Sequence, residues 1–216
     1  MYWLLSLNRW QYFCFLTITV ILFSVASNYF LKTDELYFAS FAERLTKNQI
    51  QELIVRSNNY YWNLLGYLLL PLVIIIRILF TSFCLQVGNL VHEYKWEYKQ
   101  IFNISLKADV VYLFSLIGNF YYYAFFHPAK NIQDLSINFL SLLKVKGIEN
   151  VQSWLVLVYN SLNLFELLYV ILVIFLVKAC FQISYIKAVT FVVLTYCLGN
   201  YFYLVGMTFI YLNLSP

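Results

Sequence analysis

Glu166 offers the most chemistry of any residue in this 216-residue chain. It stands inside an apolar run, near the middle of an expected membrane span. Asn160 and Asn163 precede it at three-residue spacing, so on a helix the three share one side within an arc of roughly 120°. An ionisable side chain inside a membrane is costly, and a carboxylate beside amides can take up a proton or a cation during transport. The same groups also hold helices together by hydrogen bonds, and that structural role is the reading carried forward. Arg77 lies in a second apolar run. Helix arithmetic puts it within about 7.5 Å of the depth of Glu166 at ~1.5 Å per residue, so the two are expected to couple, directly or through water.

Other chemistry is hard to find. There is no Gly-x-Ser-x-Gly, no His-Glu-x-x-His and no phosphate-cradling glycine loop. His92 and His127 fall in separate loops near span ends. Cys14, Cys84, Cys180 and Cys197 form no Cys-x-x-Cys pair, have no histidine at metal-ligand spacing, and read as small buried hydrophobes without disulfides. The expectation is no catalytic residue, no metal and no cofactor. The net charge of +4 contains no basic run that would bind nucleic acid.

The elements that position these residues follow from composition. Hydrophobic residues make up 62% of the chain and charged ones 11%, with a mean hydropathy of +0.73, against about 45–50% and about 25% in soluble domains. Lipid must therefore solvate most of the surface. The reading is an all-α integral membrane protein, one polytopic domain over residues 1–216. It has about five transmembrane helices near 10–30, 60–83, 109–126, 154–177 and 188–212, joined by amphipathic interfacial helices. Ser24-Val25-Ala26 looks like a signal-peptidase site. Apolar residues continue through Leu31, however, so a retained helix is expected.

Between the first two spans, Thr33-Asp34-Glu35 starts one short helix, and the Thr46-x-x-Gln49 box starts another with Ile50, Leu53 and Ile54 on one face. Pro71 should kink the second span. Beyond it, Lys95, Lys99, Asn103 and Lys107 recur every four residues. With Trp96, they predict an interfacial helix over 94–107, aromatics in the headgroups and lysines toward water. Residues 131–146 predict a second amphipathic helix, closed by Gly147. In the fifth span Thr195, Gly199 and Gly206 fall within about 40° of one another. This small face is expected to pack inside the monomer rather than form a homodimer seam.

Two stretches carry a resemblance. Arg77-Ile-Leu-Phe through Leu90, followed by Tyr98-Lys-Gln-Ile-Phe-Asn-Ile-Ser-Leu-Lys-Ala-Asp-Val-Val-Tyr-Leu-Phe, resembles the Yip family of membrane proteins. There, an apolar span leads through a short interfacial segment and a Phe-rich helix start into the next span. Asn160 to Tyr169 resembles uncharacterised bacterial relatives of the same architecture. The resemblance implies five spans and a cytosolic N-terminus. Lysines and arginines divide evenly between the two sides, so charge alone does not orient the chain. The N-terminus is placed inside a bacterial cytoplasmic membrane and the C-terminus outside. The expected function is a non-enzymatic Yip-like scaffold or accessory subunit, its partners the lipid bilayer and either another subunit or a second copy. The alternative is a small transporter using Glu166.

Overall fold

The computed structural model describes residues 8–57 and 59–214. Met1 and Pro216, whose sides the expected orientation names, lie outside the described residues. The protein is an all-α membrane bundle with five helices long and apolar enough to cross a bilayer. Helix α1 (Arg9–Leu31) buries only Tyr12 and Leu16 of its 23 residues, leaving most of its surface for lipid. The short helices α2 (Asp34–Phe41) and α3 (Lys47–Ser57) begin as expected. Thr33 caps the first through Leu36 N–H, and Thr46 N–H donates to Gln49 Oε1 at 3.0 Å. Ile50 and Ile54 are the buried face of α3.

Helix α4 (Tyr60–Val91) is one element of 32 residues that carries Pro71 inside it and extends well past the expected end at residue 83. Its second half holds the packing: Ile74, Ile78 and Leu85 are buried, as are Thr81, Ser82 and Asn89.

The third span corrects the sequence reading most. Helix α5 (Tyr98–Ala108) runs through Asp109 into α6 (Val110–Tyr121) and a π turn (Tyr122–Phe126), so the span starts at Tyr98 rather than at 109. Residues 98–108 are therefore not a peripheral helix. Ile101, Ile104, Ser105, Leu106 and Ala108 are buried among α4 and the fourth span. Lys95 precedes the helix, so only Lys99, Asn103 and Lys107 of the expected stripe share its polar face; the opposite face is apolar enough to enter the core, and helix-to-helix burial prevails over lying flat. Asp109 is consequently interior, with only 3% of its side chain exposed.

From His127 to Asn163 the chain does not form the expected helix over 131–146. It makes a 3₁₀ turn (Ile132–Ser136), an extended stretch, α7 (Leu142–Lys146) and α8 (Val156–Ser161). Ser141 and Asn163 pair as an antiparallel bridge, with Leu142 N–H on Leu162 O at 3.0 Å and Leu164 N–H on Leu140 O at 3.2 Å. Asparagine and serine side chains take over backbone hydrogen bonds here, which favours turns over helix. Gly147 does close α7, at φ +82, a conformation suited to glycine.

The fourth span is α9 (Leu164–Phe181), shorter than expected because the helix breaks at Leu162 and Asn163. The turn at Gln182 (φ 52) leads to the fifth span: α10 (Tyr185–Val192), a π turn (Val193–Cys197) and α11 (Leu198–Leu214). The core sits between α5, α6, α9 and α10, around Tyr169, Val173, Phe191 and Val192. The four cysteines are free.

Candidate functional site

Four spans bring their polar groups into one layer. Count from the bundle end where Trp96 stacks on Phe181, centroids 3.8 Å apart and planes 6° from parallel. Arg77, Asp109, Tyr112, Glu166, Tyr196 and Asn200 then lie about 16–23 Å along their helices at ~1.5 Å per residue. That is near the middle of a ~30 Å hydrocarbon core.

Two centres occupy the layer. In the first, Arg77 Nε donates to Asp109 Oδ1 at 2.6 Å and Nη2 to Oδ2 at 2.7 Å, a bidentate ion pair between the second and third spans. In the second, Glu166 accepts from Tyr112 Oη at 2.7 Å on Oε2, from Tyr196 Oη at 2.7 Å on Oε1, and from Asn200 Nδ2 at 3.3 Å. This joins the third, fourth and fifth spans.

Tyr112 belongs to both centres. Its hydroxyl bonds Glu166, and its ring lies under the Arg77 guanidinium, 4.0 Å from the centroid. Tyr169 lies beside it with the rings tilted, centroids 4.9 Å apart, and donates to Thr81 at 2.8 Å, a direct tie from α9 to α4. The direct Arg77–Glu166 pair is thus corrected: Asp109 is the partner of Arg77, and the two centres touch through a tyrosine. Once residues 98–108 are assigned to the interface, Asp109 reads as a span end, and the partner of Arg77 disappears from view. The available signal was Tyr112, one helical turn beyond Asp109 on the same face.

Asn160 and Asn163 do not join Glu166 as a ligand set. Asn163 caps α9, its Oδ1 accepting the Glu166 N–H at 2.9 Å, which places Glu166 in the first turn of the helix rather than near the middle of a span. Asn160 Oδ1 accepts from Asn138 N–H at 2.9 Å, and its Nδ2 donates to Ser136 O at 3.1 Å. Asn119 Oδ1 accepts from Phe139 N–H at 3.0 Å, and Asn138 Nδ2 donates to Ser115 Oγ at 2.8 Å. These amides satisfy the irregular backbone of the loop before the fourth span. Asn119 and Asn138 are structural residues that the sequence reading passed over.

The small-residue face divides. A Cβ on Gly88 of α4 would overlap Thr195 Cγ2, and one on Gly199 would lie 2.5 Å from Cys84 Sγ, so Thr195 and Gly199 do pack against α4. Gly206 meets nothing within 4 Å, which removes it from the packing face of the monomer.

Trp96 is held between Tyr94 and Phe181, and its backbone is pinned by Asn89 (Nδ2 on Trp96 O, 3.1 Å), while Lys95 and Lys99 stay exposed beside it. Lys107, within the third span, accepts the Tyr12 hydroxyl on its carbonyl at 2.9 Å. His92 stacks on Tyr94 at one end of the bundle and His127 on Tyr122 at the other. Among the described residues no three His, Cys, Asp or Glu side chains gather as a metal site.

These features define a polytopic helical membrane protein with a helix break just before its fourth span and a mid-membrane polar layer. No family model, no curated protein and no solved structure matches the chain.

Proposed function

We propose that this chain is a non-enzymatic membrane scaffold or accessory subunit of Yip-like architecture, set in a bacterial cytoplasmic membrane with its N-terminus inside and its C-terminus outside. The observation that supports this reading is the engagement of Glu166. Both carboxylate oxygens accept from donors on neighbouring spans, and its backbone N–H is capped by Asn163. A carboxylate so held acts as a cross-brace, and with the Arg77–Asp109 pair it ties four spans into one rigid unit.

A second reading, a small transporter, draws on the helix start that lies beside Glu166, since helix ends next to mid-membrane polar groups are how transporters build their sites. Purified protein in proteoliposomes distinguishes the two. The scaffold reading expects no collapse of a pH gradient above that of empty vesicles, together with a complex of fixed stoichiometry on native gels of solubilised membranes. Proton flux abolished by Glu166→Gln, in protein that still folds, would overturn it in favour of transport.

A further inference from the structure

The scaffold reading does not use the space between α1, α4 and α6. A cavity of about 450 Å³ there shares Leu70, Leu116 and Asn119 with a second of about 280 Å³, so the two form one groove. Its floor is the Arg77–Asp109 pair and its mouth carries Lys32, Trp62 and Asn63. The stretch of α4 from Asn63 to Arg77 corresponds to about 21 Å at ~1.5 Å per residue.

Three observations bear on what fills it. First, α1 turns a polar stripe into the groove: Ser24, Ser27 and Asn28, followed by Lys32 just beyond the helix. This is helical spacing that would be costly against hydrocarbon. Second, Arg77 has five N–H donors, of which Asp109 takes two; its side chain is 33% exposed and it lines the deeper cavity. Third, the lining carries two cations, Lys32 and Arg77, against one carboxylate, Asp109. Water needs about 30 Å³ per molecule, so the wider cavity has room for on the order of ten.

We propose that this groove is a hydrated vestibule that admits small anions, of the carboxylate or phosphate class, from the mouth at Lys32 to the guanidinium of Arg77. A lipid acyl chain is a poor occupant, because its tail would end on a charged pair. Lys32 is exposed at this mouth, and partial desolvation there lowers its pKa from the usual lysine range.

Cysteine chemistry tests this. In a background with Cys14, Cys84, Cys180 and Cys197 replaced, Leu116→Cys reports the deep groove, and Leu68→Cys, outside the groove lining on a side chain 67% exposed, reports lipid. Open membranes receive a sulfonate or a trimethylammonium methanethiosulfonate of similar size. Leu116→Cys should react well above the Leu68→Cys rate, about tenfold faster with the anionic reagent. Lys32→Gln should bring that ratio toward one. Gly66→Phe should block the reaction, since nothing lies within 4 Å of a Cβ at Gly66 on the groove wall.

Inorganic phosphate that slows the anionic reagent identifies a free anion as the occupant. Slowing in phosphatidylglycerol but not phosphatidylcholine vesicles, to an extent that Lys32→Gln reduces, identifies a lipid headgroup rather than surface charge alone, and either outcome supports an anion site. Leu116→Cys as inert as Leu68→Cys, or equal rates with both reagents regardless of Lys32, would overturn the proposal.

Discussion

Removing the carboxylate of Asp109 while leaving Arg77 in place is the most informative perturbation of the polar layer. Breaking a buried pair by deleting one partner typically costs about 3–5 kcal/mol. Here Asp109 is 3% exposed but Arg77 is 33% exposed and faces the groove, so the stranded guanidinium regains solvation. The amide introduced by Asp109→Asn also keeps one oxygen for Nε. We therefore expect Asp109→Asn to cost about 2–3 kcal/mol, near the lower end of that range. Arg77→Gln should cost more, about 3–5 kcal/mol, because the buried carboxylate then has no cation. The double variant should cost less than the sum by about 2 kcal/mol, since removing both charges removes the desolvation penalty with them. Reversible unfolding in mixed micelles, followed by tryptophan fluorescence, reads all four corners. Losses that simply add would refute the pair, and a coupling of the same size between Arg77 and Glu166 would refute its placement.

Three further outcomes follow from the same geometry. Glu166→Gln turns an amide donor toward hydroxyls that already donate, and should cost about 1–3 kcal/mol in the same assay, partly relieved by Tyr112→Phe. Gly88→Ala should destabilise by about 1–3 kcal/mol, through overlap with Thr195, and Gly199→Ala likewise unless Cys84 becomes Ala. Gly206→Ala should be neutral or gain up to about 1 kcal/mol from helix propensity; a loss there would mean that the face is packed. Lys32, its pKa lowered by partial desolvation, loses its proton at lower pH folded than unfolded. Stability should thus rise as pH climbs from the folded to the ordinary lysine value, and acylation of Lys32 by a water-soluble active ester should begin at lower pH than for free lysine.

The five spans are legible in the sequence because long apolar runs leave no other solvent for the chain, and the short helices before the second span declare themselves through Thr33, Thr46 and Gln49. The site is less legible, for two reasons. The lysine stripe of residues 99–107 marks a helix with one polar face, but not whether its other face meets lipid or protein. That single ambiguity moved Asp109 from the centre of a span to its edge and gave Arg77 the wrong partner. The break before Glu166 is hidden for a different reason. Asn160, Ser161, Asn163 and Glu166 fall between two apolar stretches of residues 154–177, and mean hydropathy over the whole window does not register where the helix stops. The backbone of Leu140 and Leu142 serves Leu164 N–H and Leu162 O where the helix stops, and Asn119 and Asn138 hold that loop in place.

The order in which the chain is made gives the Glu166 brace a further meaning. Tyr112 is synthesised before the carboxylate, but Tyr196 and Asn200 follow it by about a whole span. During that interval Glu166 has one of its three side-chain donors, and the turn before the fourth span is held by amides already in place on α6 and the preceding loop. The last span therefore works as a latch: its arrival supplies the two missing donors and seats Gly199 against Cys84 in one motion. A chain stopped after Phe181 would leave a carboxylate under-satisfied inside the bilayer, a lesion that membrane quality control is well placed to detect.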